Sequence, residues 1–395
     1  MSKFVGILIR RERLQQSLSQ EELCQGICAV SYLSKIEQGK ADAGAEILSP
    51  LLQRLNIRYE TDALFLSQAE KTIAGLYEGL FNGMEDLPAY QEKLNWLAGR
   101  RDRCMASPHM LDALLLLQYF GKGKGDENLE EFIACMTKAQ YEFFLLLRLK
   151  QPNSEDAALE LLRLNGSAFY TCLVGIARYR EGRYQEAIDL LTRGYDQAAQ
   201  EGNVYMMLRS KLYLGNCCSE SGRKDLMLSH YQVARRLAAA VNNDTWVSTI
   251  HYRLAGAYLE WDMAEEAYAL LQTTSRHDAL YYHKLAVALE KLGRRNEAIS
   301  ALGRGRAATV DPSLRPVMKE MLDLVEYRLR NPKYLQDKAY SQLMTSTFTL
   351  LRRSSSSSLI RFHLSYMLEV LEAERRYKDA YRLTMEFSAL PTALQ

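Results

Sequence analysis

The feature that most constrains the fold of this 395-residue chain is a short pattern that recurs five times beyond residue 180. Each copy has the sequence of a turn between two amphipathic helices, with a small or apolar residue at a fixed place after the turn. The copies are "REGRYQEAIDLL" (180–191), "SESGRKDLMLSHY" (219–231), "LEWDMAEEAYALL" (259–271), "EKLGRRNEAISAL" (290–302) and "EAERRYKDAYRL" (372–383). A recurrence at such intervals predicts stacked helical hairpins.

The fixed places are occupied by Ala187, Met227, Ala267, Ala298 and Ala380, at steps of 40, 40, 31 and 82 residues. Because the last step is twice 41, we expect a degenerate copy around its midpoint, Ala339. A small residue suits this place because two antiparallel helices joined by a short turn come closest near that turn. The pattern therefore predicts both the turns and the helix contacts beside them.

The turns and the rest of the chain agree with an all-α fold. Gly182, Gly222 and Gly293 stand where helix C-caps need a positive φ. Strand signals are nearly absent, and only eight prolines interrupt the chain. An unbroken amphipathic pattern over 61–81 predicts a long helix that connects the start of the chain to the repeats.

The recurring units resemble tetratricopeptide repeats. Tyr184, Glu186 and Ala187 match the start of that family's second helix, while "LG" at 214–215 and "LA" at 254–255 match the small-residue contact of its first helix. The resemblance is good from about residue 168 onward and weak over 87–165, which we expect to be helical. It implies a right-handed α-solenoid whose concave groove, lined by the first helices, can hold an extended or helical peptide.

The repeat register predicts which residues face the groove. It turns the following positions toward the concave side: Arg209, Tyr213, Asn216, Tyr252, Arg253, Gly256, His283, Lys284 and Val287. All of these except Gly256 and Val287 are predicted to bind the peptide. Asn216 is the foremost candidate because an amide can both donate to and accept from a peptide backbone.

Composition limits the other partners. The chain is 48% hydrophobic and 25% charged with a formal charge of +2, so no whole-molecule field favours nucleic acid or membrane, and any such partner must be met locally. A small basic cluster, Lys3, Arg10, Arg11 and Arg13, lies near the start. The charges at 10–13 exclude a signal peptide, and no run of roughly 18 apolar residues could span a bilayer. Together with seven cysteines that read as reduced core thiols, this predicts a cytoplasmic protein without membrane association.

No catalytic or cofactor motif stands out. "GKGKG" (121–125) lacks the spacing of a phosphate-binding loop, and its composition is typical of a loop between helices. The six histidines lack the spacing of a zinc site, and no nucleophile has an adjoining signature. "RRSSSSSL" (352–359) reads as a solvated connector, with a phosphorylation site as the alternative. We therefore predict no enzymatic activity, no metal and no cofactor.

The specific motif is at the start of the chain. Ser19 and Glu22 form a capping box that begins a helix at Gln20, and Gly26 ends that helix. A second short helix, with Leu33, Ile36 and, as an open alternative, Val30 on its apolar face, closes at Gly39. Two short helices with a tight turn predict a helix-turn-helix, in which the second helix enters the DNA major groove. The spacing leaves these residues outward: Ser31, Tyr32, Ser34 and Lys35.

This segment, "IRRERLQQSLSQEEL…VSYLSKIEQGK", resembles Xre and Cro/C1-type repressor heads over about residues 3–57. The resemblance implies an ion pair between Arg13 and Glu37 that ties the first helix to the recognition helix. The implied DNA-binding residues are Arg10, Arg13, Gln20, Val30, Ser31, Tyr32, Ser34, Lys35 and Lys40. Val30, Ser31, Tyr32 and Lys35 fall at base-reading positions among them. Pro50 departs from the pattern and is expected to kink the fourth helix.

A head of this type joined to such a body resembles the peptide-pheromone receptors of the Rap, Rgg, Npr, Plc and Prg group, with the shortened turn "GICAVSY" similar to the Plc branch. The resemblance implies a homodimeric transcription factor that binds double-stranded DNA and is switched by a short signalling peptide. We expect a DNA-binding domain at 1–58, a connecting helix at 59–84 and a regulatory, dimerising repeat domain at 85–395. The alternative is a protein-interaction adaptor with a vestigial head.

That receptor group often has Asn one turn earlier in the first helix of each hairpin. This chain has Tyr213, Arg253 and Lys284 at those places. The two cations would suit an acidic side chain or a C-terminal carboxylate of the ligand.

Overall fold

The computed structural model describes residues 4–85, 87–123, 128–151, 154–353 and 357–388. Its described regular structure is helical throughout, and the prediction of an all-α chain with a helix-turn-helix start and a helical-repeat body is confirmed. Lys3, residues 124 and 125 of the "GKGKG" loop and residues 354–356 of the serine run lie outside the described residues. The chain divides into two compact units, residues 1–177 and 178–395.

The first four helices form the head, which we define as residues 1–58. They are α1 (Phe4–Gln15), α2 (Gln20–Cys24), α3 (Val30–Glu37) and α4 (Ala45–Arg54). The predicted capping box is confirmed, because the Ser19 hydroxyl accepts from the Glu22 amide while the Glu22 carboxylate accepts from the Ser19 amide. α4 continues through Pro50. Leu23, Leu33 and Leu51 are fully buried between these helices.

A close helix contact sets the position of the recognition helix α3. A Cβ atom at Gly6 of α1 would overlap the backbone carbonyl oxygen of Ile36 in α3. The absence of a side chain at residue 6 therefore lets the two helices approach at the distance that the head requires.

The rest of the first unit is helical as well. The predicted long helix is α5 (Ala63–Phe81), which begins after the N-cap Asp62. It is followed by α6 (Pro88–Gly99), α7 (Arg101–Met105), α8 (Met110–Tyr119), a 3-10 helix (Leu129–Cys135), α9 (Lys138–Arg148) and α10 (Glu155–Leu164). The domain boundaries at 58 and 84 stay predictions.

Helical hairpins make up the second unit. Their helices are α11 (Ala168–Arg180), which begins in the first unit, α12 (Tyr184–Glu201), α13 (Val204–Glu220), α14 (Lys224–Ala240), α15 (Asp244–Glu260), α16 (Ala264–Gln272), α17 (Ala279–Lys291), α18 (Arg295–Ala307), α19 (Arg315–Arg330), α20 (Lys338–Arg353), α21 (Ser357–Ala373) and α22 (Tyr377–Ser388). All five fixed positions of the repeat are buried. Gly182, Gly222 and Gly293 have φ values of 78°, 71° and 72°, as a left-handed cap requires.

The degenerate copy exists as the pair α19 and α20, but the expectation for Ala339 is wrong. Ala339 is exposed, and its neighbour Tyr340 is fully buried instead. A 3-10 turn precedes α20, and the Asp337 carboxylate caps that helix by accepting from the Ala339 amide at 2.9 Å. This longer turn shifts the register by one residue, so an aromatic ring fills the place that a small residue has elsewhere.

None of the described helices is both long enough and apolar enough to cross a membrane.

Candidate functional site

A buried polar network fixes the recognition helix of the head. The Arg13 guanidinium donates from Nε to Glu37 Oε1 at 2.7 Å and from Nη2 to Glu37 Oε2 at 2.9 Å, so the predicted ion pair is confirmed. Its Nη1 donates to the Leu18 carbonyl at 2.8 Å, and Gln20 donates to Glu37 Oε2 at 2.7 Å. Arg13 is 7% and Glu37 2% exposed. The network joins α1, the start of α2 and α3.

The outer face of α3 carries the residues predicted to meet DNA bases. Ser31 and Lys35 are exposed, and Val30 is 42% exposed rather than part of the apolar face. Tyr32 is partly exposed and donates to the Asp42 carbonyl at 3.2 Å, which holds its ring in place. The four residues predicted to contact bases therefore lie at least partly exposed on α3.

One residue predicted to contact phosphate, Ser34, is partly exposed, and its hydroxyl accepts from Gln38 Nε2 at 3.1 Å. The other residues predicted to contact phosphate fall into two groups. Arg10 and Lys40 are exposed and border a cleft of about 330 Å³ beside α1. Arg13 and Gln20 are bonded to Glu37 instead, which gives them a positioning role for α3. Their phosphate contacts stay predictions.

The second unit holds a cavity of about 190 Å³ among α13, α15, α17 and α21, which we call the body cavity. Five of the seven residues predicted to bind the peptide border it: Asn216, Tyr252, Arg253, His283 and Lys284. Arg209 and Tyr213 lie on α13 before Asn216, are partly exposed and are outside its lining. Val287 is fully buried in the core of the unit. The repeat register therefore brings most of the predicted residues together.

Two glycines give the body cavity its shape. A Cβ atom at Gly215 would lie 2.5 Å from the Tyr231 ring, and one at Gly256 would lie 2.7 Å from Lys284 Nζ. Tyr231, on the second helix of its hairpin, uses this space to donate from its hydroxyl to Asn216 Oδ1 at 2.7 Å. The sequence pattern of the first helices gave no sign of this partner.

Lys284 lies in an unusual environment. Its Nζ is 3.3 Å from the Tyr252 carbonyl oxygen and 3.7 Å from the centre of the Tyr252 ring, whose other cation neighbour is Arg276 at 4.4 Å. Burial, together with the charges of Arg253 and Arg276, lowers the pKa of Lys284 to about 7. Desolvation raises the pKa of Glu260, which also borders the cavity, to about 7, although part of that side chain remains exposed.

Helix α21 closes one side of the body cavity, and sequence reasoning missed this wall. Leu359 and Phe362 border the cavity, and Arg361 donates to the carbonyls of Ser219 and Glu220 at the end of α13. These partners are about 141 residues apart in the chain, and no local pattern links them.

A buried histidine pair lies beside the same wall. The His283 and His363 rings stack with their centres 5.6 Å apart, and His363 Nδ1 bonds to the Leu359 carbonyl at 2.9 Å. Burial lowers the pKa of His363 to about 4 and that of His283 well below its ordinary value, so both rings are neutral near pH 7. Among the described residues, no group of three or more His, Cys, Asp or Glu side chains could hold a metal ion.

Comparisons with known proteins identify the head. Residues 9–61 match the helix-turn-helix family, and this part of the chain is a helix-turn-helix domain of the Xre type. No curated protein matches the chain.

Two solved structures match this chain. One is a Rap protein complexed with competence and sporulation factor, which is 14% identical, with a TM-score of 0.50 over 82% of this chain and 97% of that chain. The other is Bacillus thuringiensis PlcR in complex with the peptide PapR7 and DNA, at 13% identity and a TM-score of 0.28 over 78% and 94%. The likeness to the Rap protein is one of fold.

Proposed function

We propose that this chain is a sequence-specific DNA-binding transcriptional regulator, in which α3 reads the major groove. The observation that carries the proposal is the network of Arg13, Gln20 and Glu37, which rigidly presents the outer face of α3. Ser31 and Lys35 on that face are free to reach base edges and phosphates. A helix-turn-helix that had become a mere structural unit would have no need for a polar, exposed recognition face held by buried charges.

The regulator is switched by a short peptide that binds at the body cavity. The cavity supports this part of the proposal because it gathers side chains from three first helices of successive hairpins, where a repeat groove binds its ligands. The Rap protein whose fold is similar is complexed with competence and sporulation factor. We infer that the peptide shifts the population of two solenoid curvatures and so changes the DNA affinity of the head.

The active form is a homodimer. Helix α22 supports this because three of its large side chains lie on one stripe and are well exposed: Tyr377 (63%), Tyr381 (66%) and Met385 (50%). A contiguous exposed stripe of large apolar and aromatic side chains is typical of a protein–protein contact surface. Two heads in a dimer would read half-sites about 34 Å apart, or a multiple of that distance, on one face of the duplex.

The test is a selection of genomic DNA fragments by the full-length protein. We expect enrichment of a defined sequence, and we expect Lys35→Glu to abolish it because the new charge repels phosphate. Lys71→Glu is the matched control, since Lys71 is an exposed lysine on α5, away from α3. Binding without sequence preference, or equal binding by both variants, would leave the protein-interaction adaptor as the better account.

A further inference from the structure

Two polar atoms in the body cavity lack partners. The Tyr252 hydroxyl and His283 Nδ1 are buried and have no hydrogen-bond partner among the residues that the structure describes. Tyr252 is 3% and His283 1% exposed, and both border the cavity. Buried polar groups are nearly always hydrogen-bonded, so two such atoms in the lining of one cavity point to a polar ligand.

The charges around the cavity are also incompletely paired. Within the described part of the chain, Lys284 and Arg253 have no carboxylate within ion-pair distance. Elsewhere in the same unit, the buried Arg328 makes two hydrogen bonds of 2.7 Å to Glu290. Arg253 is exposed and Lys284 is partly exposed, so both unpaired cations are open to a ligand, and their charge favours an anionic one.

The charge that the cavity offers to a ligand depends on which of its lining groups stay ionised near neutral pH. Arg253 keeps its charge at every physiological pH, whereas Glu260 and Lys284 both have pKa values shifted to about 7. The Glu220 carboxylate is bonded to Arg361, at 3.4 Å. The lasting charge available to a ligand is therefore positive.

The volume of the body cavity and its apolar lining limit the size and the side chain of the ligand. An apolar protein cavity of about 150 Å³ holds one benzene molecule. The body cavity, at about 190 Å³, therefore has room for one side chain with its carboxylate but not for a peptide of several residues. Its apolar lining includes Leu314, Leu359 and Phe362.

We propose that the body cavity is an anchor for the carboxylate terminus of a peptide, whose last residue has an apolar side chain. The carboxylate lies against Arg253 and Lys284 and accepts from the Tyr252 hydroxyl, while the side chain packs against Leu314, Leu359 and Phe362. The preceding residues lie outside the cavity. This inference rests on the proposed peptide receptor function and names which end of the peptide is recognised.

The test uses the full-length protein and two small probes in calorimetric titrations. N-acetyl-L-leucine carries the free carboxylate, and N-acetyl-L-leucinamide is its neutral match. We expect the acid to bind saturably and at least about 10-fold more tightly than the amide, because only the acid pairs with the two cations. Lys284→Gln should remove this preference. The control Lys211→Gln should keep it, because Lys211 is also a partly buried lysine over an aromatic ring but lies outside the cavity lining.

The proposal is overturned if the amide binds as tightly as the acid, if neither probe binds saturably, or if Lys284→Gln keeps the preference. The acid–amide comparison on the unaltered protein needs no variant to fold. These outcomes do not bear on the proposed DNA-binding function, which the selection of genomic DNA fragments tests separately. A peptide that binds equally well with a free and an amidated terminus would contradict the anchor and leave the peptide receptor standing.

Discussion

The head and the second unit each contain a buried cluster of polar side chains, and the two clusters differ in completeness. In the head, the charges of Arg13 and Glu37 satisfy each other through two hydrogen bonds, and Gln20 adds a third. In the body cavity, Lys284 contacts a carbonyl and an aromatic ring, while the Tyr252 hydroxyl has no partner among the described residues. The first cluster stabilises one geometry, and the second retains binding capacity for a ligand.

The largest expected effect is in the head. Arg13→Ala leaves the Glu37 carboxylate buried and unpaired, which should cost about 3–5 kcal/mol of local stability. Hydrogen exchange of the amides in α1 and α3 of the full-length protein measures this loss.

The double variant Arg13→Met with Glu37→Met is the control for that prediction. It removes both charges, so stability should return to near that of the unaltered head or above it. If Arg13→Ala alone left the protection of α3 unchanged, the head network would have no part in positioning the recognition helix.

A smaller effect distinguishes the two glycines of the body cavity. Gly215→Ala places a methyl group against the Tyr231 ring, which is held within the core, and should cost about 1–3 kcal/mol. Gly256→Ala meets only the end of the flexible Lys284 side chain and should cost clearly less. Chemical denaturation of the two variants gives the comparison. Equal losses would mean that the Lys284 ammonium is held as rigidly as the ring.

The smallest effect is a dependence of stability on pH. Between pH 7 and about 10.5, the unfolded chain binds a proton at Lys284 that the folded chain has partly released, so this group makes stability rise with pH. Its contribution is lost as pH falls through the folded pKa of about 7. Lys284→Met removes that dependence. We therefore expect the variant to be more stable at pH 7 by about 1 kcal/mol, or about 2–4 °C in Tm, and the gain to shrink by pH 9.

The groups around Lys284 should not obscure this trend. The pKa of Glu260 is raised, so the stability that its neutral form contributes is lost as pH rises from about 4.5 to about 7. The pKa values of His283 and His363 are lowered, so both groups titrate below the ordinary range of histidine. Tyr252 has its pKa raised by burial above the window. His363 and Tyr252 are present in both proteins and cancel in the difference. Lys284 itself lowers the pKa of Glu260 and of His283, so these two groups change with its removal, and burial keeps the pKa of His283 below the window. A gain that stays constant from pH 7 to pH 9 would show that Lys284 is fully charged in the folded protein.

The elements that sequence predicted well depend on short-range physics. The capping box at Ser19 and the positive φ at Gly182, Gly222 and Gly293 follow from interactions within a few residues. The groove positions of Asn216 and Lys284 follow from helical periodicity once the repeat register is known. Local rules of this kind suffice for a fold made of similar hairpins.

The elements that sequence missed depend on contacts between distant parts of the chain. Arg361 and Glu220 meet across about 141 residues, and the His283–His363 stack joins two helices that share no sequence pattern. The error at Ala339 has a local cause, since one added 3-10 turn moved the buried place to Tyr340. Periodicity predicts which face is buried, but a single extra turn residue changes which side chain occupies it.

The contrast between the closed head network and the open body cavity is tested most directly by making the same kind of replacement in both. Arg13→Met and Lys284→Met each exchange a cation for an apolar side chain of similar length, the first at a buried and the second at a partly buried position. Hydrogen exchange reports on the surrounding helices separately. The account predicts opposite signs: lower protection of α1 and α3 with Arg13→Met, and unchanged or higher protection of α15 and α17 with Lys284→Met. A loss of protection around Lys284 as large as that around Arg13 would contradict it, because both cations would then be structural.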